Sequence, residues 1–160
     1  MNIHEKSEEL LIVLHDAQEK LLRAKRHKFK KSLAWRRENI PSAPGIYALF
    51  EPGNRLMYIG ETGNLRDRMS ELNRTVNHSF RKQLGHKKFK GIKSKQKFSD
   101  DIELLLDKFF DEELHVAFIE VYFGRLEIEE FIITNHQDYL INTSKKRKIQ
   151  NVMNYLKDSR

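Results

Sequence analysis

Apolar residues recur at helical spacing near the start of the chain. Leu10, Leu11, Leu14, Leu21 and Leu22 form a stripe, with Gln18 and Lys25 in phase. This pattern predicts a long helix over residues 3–34. Asn2 followed by Glu5 suits a capping box at its start. Pro41 and Pro44 close any helix and favour extended backbone. The pattern then changes. Ile46 to Phe50 reads as a strand, Glu51-Pro52-Gly53-Asn54 as a turn, and Leu56 to Ile59 as the returning strand of a hairpin. Gly60 to Asn64 is a polar loop, and Asn64 can cap a helix over residues 65–73. A short helix is expected over 78–84, a lysine-rich linker over 85–99 and a helix over 104–110. Leu114 to Phe123 is rich in β-formers and predicts a third strand, broken at Gly124. Residues 126–141 return to helical spacing. A basic segment, Lys145 to Lys148, precedes a short terminal helix. No internal repeat is visible.

These elements alternate between helix and strand, so the expected fold is α/β: a small three-stranded antiparallel sheet flanked by helices. The expected division is a basic helical extension over residues 1–38, one domain over 39–145 and a basic tail over 146–160. The length of 160 residues suits one domain with a real core rather than two. Aromatic residues at 10% and a hydrophobic fraction of 39% argue for a folded chain. The absence of cysteine excludes disulfides, thiolate zinc sites and cysteine nucleophiles. No run approaches the roughly 18 apolar residues of a membrane span. Met1 to Lys6 lacks the apolar core of a signal peptide. The expectation is a soluble, cytoplasmic protein with no membrane partner.

Charge narrows the partner. The chain carries a formal +7, which points to a polyanion, either nucleic acid or an anionic membrane. Nine Lys or Arg and no acid lie between Lys20 and Arg37, and another nine between Arg74 and Ser99. Seven acids then fall between Asp100 and Glu113. The apolar stripe of the first helix resembles a face packed on a core more than one lying on lipid. Nucleic acid is therefore the expected partner, with backbone contacts from Lys28, Lys31, Arg36, Arg81 and Lys82. Trp35 can stack on a base or sit in the core, and the sequence leaves both open.

The most specific pattern is Gly45-Ile46-Tyr47 and Tyr58-Ile59-Gly60 on the two strands of the hairpin. A tyrosine hydroxyl at a sheet surface can orient or deprotonate a water. The following helix carries Arg66 and Arg68, and an arginine's planar fork suits phosphate oxygens. Together with Thr62-Gly63-Asn64-Leu65-Arg66-Asp67-Arg68, this resembles the GIY-YIG nuclease superfamily. Glu130 and Asn142 match the family's later glutamate and asparagine. The resemblance spans about 100 residues in the expected order.

The resemblance implies a metal-dependent endonuclease that hydrolyses DNA phosphodiester bonds. Glu130 would hold one Mg²⁺ or Mn²⁺, with the adjacent Glu129 as the competing choice. Tyr47 would be general base or water-orienting group, Tyr58 its assistant, and Arg68 the stabiliser of developing charge. Arg66 would contact nucleic acid. Asn142 would brace the site and lie against the substrate. Glu61 stands where family members often carry lysine or histidine, and Leu72 where many carry histidine, so His78 is the candidate proton-shuttling group. His115 and His136 have no metal-ligand spacing. DNA is preferred over RNA, and a homodimer is expected where both strands must be cut. The alternatives are a catalytically inactive nucleic-acid-binding module of the same fold, or an RNA-cleaving toxin.

Overall fold

A computed structural model describes residues 2–74 and 79–142. His78, the basic segment 145–148 and the expected terminal helix lie outside the described residues. In chain order the elements are α1 (Ile3–Arg23), β1 (His27–Lys28), α2 (Leu33–Asn39), β2 (Gly45–Glu51), β3 (Arg55–Thr62), α3 (Leu65–Glu71), α4 (Ser79–Lys87), α5 (Asp100–Glu112), β4 (His115–Glu120) and α6 (Arg125–His136).

Every residue of β2 from Gly45 to Phe50 is buried. A strand like this needs cover on both faces. Ile46, Ala48 and Phe50 face one cluster, with Ala17 and Leu21 of α1 and Ile128, Phe131 and Ile132 of α6. Tyr47 and Leu49 face the other, with Trp35, Met69, Phe80, Leu84 and Phe110 from the remaining helices. Each such side chain removed from water contributes about 1.5–3 kcal/mol. The result is three layers with the sheet in the middle, an α/β fold as expected.

The sheet has four strands rather than three, antiparallel throughout, in the order β1-β4-β2-β3. The added strand explains why α1 stops at Arg23 instead of near residue 34. His27 and Lys28 pair with Val116 and His115, and Phe29 N–H bonds Leu114 O at 2.9 Å. Arg26 ends the helix: its guanidinium donates to Leu22 O and Ala24 O, both at 2.7 Å, and lies 3.7 Å over the Phe50 ring. Ser32 then caps α2, accepting from Trp35 N–H at 3.1 Å. The segment expected to be an extension thus supplies a strand and a helix to the common core. The expected capping box is present, with Asn2 and Glu5 bonded reciprocally.

Trp35 is buried edge-on against Phe29, which excludes it from base stacking. Arg81 and Lys82 are also buried, so neither presents the free cation that a phosphate contact requires. Arg81 pairs with Glu103 at 2.6 Å and Asp107 at 3.0 Å, and donates to Asn73 at 2.6 Å. Lys82 Nζ donates to Ser94 O at 2.7 Å and Gln96 O at 2.6 Å. The lysine-rich stretch expected to be a linker is therefore tied to α4, and Phe98 inserts into the core from it. Opposite charge in α5 draws Arg81 inward and backbone carbonyls hold Lys82, pairings that a run of like charges does not reveal. Lys31 is exposed but pairs with the same helix, 3.7 Å from Asp107 and 3.6 Å from Asp111. Lys28 is exposed, and Arg36 is half-buried and bonds Lys31 O at 2.8 Å.

Removing one partner of a buried pair strands the other charge. Arg81→Ala is therefore expected to lower the unfolding free energy by about 3 kcal/mol, measured by urea denaturation. The salt dependence of any nucleic-acid binding should stay unchanged. Normal stability with a reduced salt slope would restore Arg81 to the surface role.

Candidate active site

The two glycines of the paired motif are required by close approach. Gly60 lies directly across from Tyr47 in the sheet register, and a Cβ there would collide with the Tyr47 ring. A Cβ on Gly45 would collide with Ile119 O and the Leu65 side chain. Gly60 does not end the strand, because β3 continues to Thr62. Its hydrogen side chain leaves the space that the phenol fills.

The loop after β3 aims α3. Thr62 Oγ1 bonds both Asn64 N–H and Asn64 O at 3.1 Å. Asn64 caps the helix by accepting from Asp67 N–H at 3.2 Å, and its amide donates to Ser42 Oγ at 3.0 Å. Leu65 N–H bonds Ala43 O at 2.8 Å. These bonds are the physical content of the Thr-x-Asn-Leu pattern. They carry Arg68, in the last turn of α3, to the tyrosines. Arg68 Nη1 lies 3.4 Å from Glu71, while its Nε is buried with no partner among the described residues. Arg66 Nε donates to Ile40 O at 2.9 Å, so at least this donor docks α3 on the end of α2.

β3 is the edge strand of the sheet, and its outer polar groups need partners. Ile141 N–H bonds Met57 O at 2.8 Å. Asn142 then clasps Ile59: Oδ1 accepts from its N–H at 3.0 Å and Nδ2 donates to its C=O at 2.7 Å. The Asn142 side chain acts as a piece of strand. Both bonds tie the Asn142 amide to the edge of β3, where a bracing group would act. The next outward N–H along this edge belongs to Glu61, and the Glu129 carboxylate accepts it.

Of the two adjacent glutamates, Glu129 is the one whose charge acts on Tyr47 and which interacts with Arg68. The spacing to Asn142 favoured Glu130. α6 buries Ile128, Phe131 and Ile132, and in this rotation Glu129 acts on Tyr47 and Arg68. Glu130 instead raises the Glu129 pKa. Burial pushes the Glu129 carboxyl up to about 7, opposed by the Glu61 N–H and reinforced by the Glu61 and Glu130 carboxylates. Glu61 is itself held by Arg125, whose Nε lies 3.1 Å from Glu61 Oε2. Arg125 sits one helical turn before Glu129. It was not recognisable in the sequence, where only the register of α6 against β3 would have revealed it.

Tyr47 is almost wholly buried, and its ring stacks on Tyr58 at 6.3 Å between centroids. Burial raises the Tyr47 phenol well above its ordinary pKa; Tyr58 adds to this and Arg68 opposes it. Burial thus favours the protonated phenol. Tyr58 also packs edge-on against Phe80, which fixes its ring.

The sheet edge therefore gathers two tyrosines, an arginine with a buried orphan donor and a carboxylate. A family model described as the GIY-YIG catalytic domain matches residues 28–160, and the chain belongs to that nuclease family. The match begins at Lys28, within β1. No curated protein and no solved structure matches the chain significantly. Among the described residues, no helix is long and apolar enough to cross a membrane.

The Glu129 shift has a thermodynamic consequence. Its folded pKa of about 7 lies above the ordinary 4.5. The stabilisation from its neutral form is complete below the lower value and is lost as pH rises through the upper one. Without divalent ions, wild-type protein should lose stability relative to Glu129→Gln between about pH 4.5 and pH 7–8. Melting temperatures of the two proteins across that range check this, and parallel curves would contradict it.

Proposed function

We propose that the protein is a metal-dependent endonuclease that hydrolyses DNA phosphodiester bonds. The observation that carries this reading is the stacked pair Tyr47 and Tyr58 packed over Gly60, with Arg68 and Glu129 within electrostatic reach of Tyr47, in a chain of a nuclease family.

The donor chemistry fits a hard divalent cation. Glu129 offers carboxylate oxygen, and two further carboxylates burden it with negative charge that a cation would relieve. Among the described residues no group of three acidic, histidine or cysteine side chains could hold a metal. Water and substrate oxygens would complete the shell, as Mg²⁺ or Mn²⁺ accepts. Bound there, the ion would supply Lewis-acid stabilisation of the phosphate.

The chain's own groups do the rest. Arg68 brings its charge to the phosphate, where negative charge grows in the transition state. Tyr47, kept neutral, orients the attacking water by hydrogen bonding rather than removing its proton. Tyr58 holds the Tyr47 ring in place and lends a second hydroxyl. Asn142 keeps the edge of β3 fixed so that Glu61 and Glu129 stay in register. Lys28 is exposed on β1, at the sheet edge opposite β3, where it would meet the backbone of a substrate that extends beyond the site; Arg36 lies half-buried on α2. Both support a DNA partner.

Nicking of supercoiled plasmid in Mg²⁺ or Mn²⁺ tests the reading. Arg68→Ala and Glu129→Gln should each reduce kcat/KM by about a hundredfold or more, while Glu130→Gln keeps most of the activity. Loss with Glu130→Gln and retention with Glu129→Gln would reverse the assignment. No cutting by wild-type protein would leave a non-catalytic binding module. Preferential cleavage of RNA would identify the RNA-cleaving alternative.

A further inference from the structure

The chain leaves β4 at Glu120 and reaches α6 at Arg125 through Val121, Tyr122, Phe123 and Gly124. Tyr122 is 71% exposed and Phe123 96%. Leu126, just beyond, is also exposed. Adjacent large aromatics left in water mark a surface that meets something.

The loop that presents them is held rather than loose. Val121 N–H bonds Pro44 O at 2.9 Å. Gly124, at φ +80°, turns the chain directly into α6, a conformation that glycine adopts without strain. Arg125 acts as a strut: Nη1 donates to Tyr122 O at 3.0 Å, while Nε holds Glu61 at 3.1 Å. The same arginine thus ties the aromatic pair to the residue whose backbone bonds Glu129. In the sheet, Glu120 pairs with Gly45, and Gly45 with Thr62. The aromatics therefore project from the end of the sheet that carries Tyr47, Gly60 and Glu61.

We propose that Tyr122 and Phe123 form a base-stacking platform beside the scissile phosphate. The preferred substrate is then nucleic acid with unpaired or easily unstacked bases, such as a bubble, flap or single-stranded stretch, rather than uninterrupted duplex. This rests on the nuclease reading of the neighbouring site and adds a substrate class to it. Every base has a π-face, so stacking on exposed rings is tolerant of sequence. An apolar ring can also wedge between neighbouring bases of a strained duplex. A basic strut one turn from the carboxylate keeps the platform in fixed register with the phosphate to be cut.

The test uses binding and cleavage together, with Glu129→Gln as the parent for binding. Two labelled oligonucleotides are compared, one fully paired and one with a central bubble. Tyr122→Ala and Phe123→Ala should weaken bubble binding on the order of tenfold and leave paired-duplex binding within about twofold. Phe123→Trp should keep bubble affinity, and its emission should be quenched on binding. Alanine variants that bind both oligonucleotides like the parent would overturn the proposal. So would tryptophan emission that stays constant while the bubble binds. Self-association that Phe123→Ala abolishes, with bubble affinity unchanged, would overturn it in favour of a protein interface. If proteins with an intact Glu129 cut DNA and the alanine variants show wild-type preference, the platform fails and the nuclease reading stands. If nothing is cut but the bubble quenches the tryptophan, hydrolysis fails and the platform stands.

Discussion

The outer edge of β3 must satisfy its backbone polar groups, and the rest of the site follows from how it does so. The partner strand β2 covers only one side. On the other, Ile141, Asn142 and Glu129 take the outward groups of Met57, Ile59 and Glu61 in turn. An unpaired edge would be a template for aggregation. Here the last position is filled by a carboxylate instead of backbone. A structural necessity thereby brings a carboxyl group within electrostatic reach of Tyr47. The same bond partly offsets the cost of half-burying that carboxylate.

Charge around this edge is arranged in opposition. Glu61, Glu129 and Glu130 crowd negative charge, while Arg125 and Arg68 approach from α6 and α3. Burial raises both the Glu129 and the Tyr47 pKa. Burial thus disfavours the charged forms of both groups, while the neighbouring carboxylates and arginines remain as opposed charges around them. Glu61, at a position where a basic residue was the family expectation, becomes intelligible in this setting. Arg125 reaches it from α6, so a cation is present near that place although the sequence position holds an acid.

The basic stretches divide according to what packs on them. Arg26 closes a helix, Arg81 and Lys82 lie inside, and Lys31 faces the acids of α5. Lys28 remains outward. Net positive charge is therefore a weaker guide to a binding surface than its distribution after folding. The acidic helix α5 neutralises Arg81 of the second basic run internally and pairs with Lys31 of the first.

The hairpin, its turn, the Asn64 cap, the capping box at Asn2 and the alternation of helix and strand were all legible in the sequence. Each depends on residues close together in the chain, where periodicity and turn chemistry act directly. The tyrosine and glycine motif with Arg68 was legible for the same reason: thirty residues or fewer carry it. What lay beyond local reach was decided by tertiary contacts. The end of α1 depended on pairing with β4, nearly ninety residues away. The choice between Glu129 and Glu130 depended on which face of α6 is buried, and a single residue turns a helix by about 100°. The roles of Arg125 and the Tyr122–Phe123 pair depended on where the end of β4 meets the end of β3. The sequence by itself determined the family and the local frame of its motif. Only the fold decided which carboxylate joins that frame, because burial and long-range hydrogen bonds, not chain spacing, select the side chain that faces it.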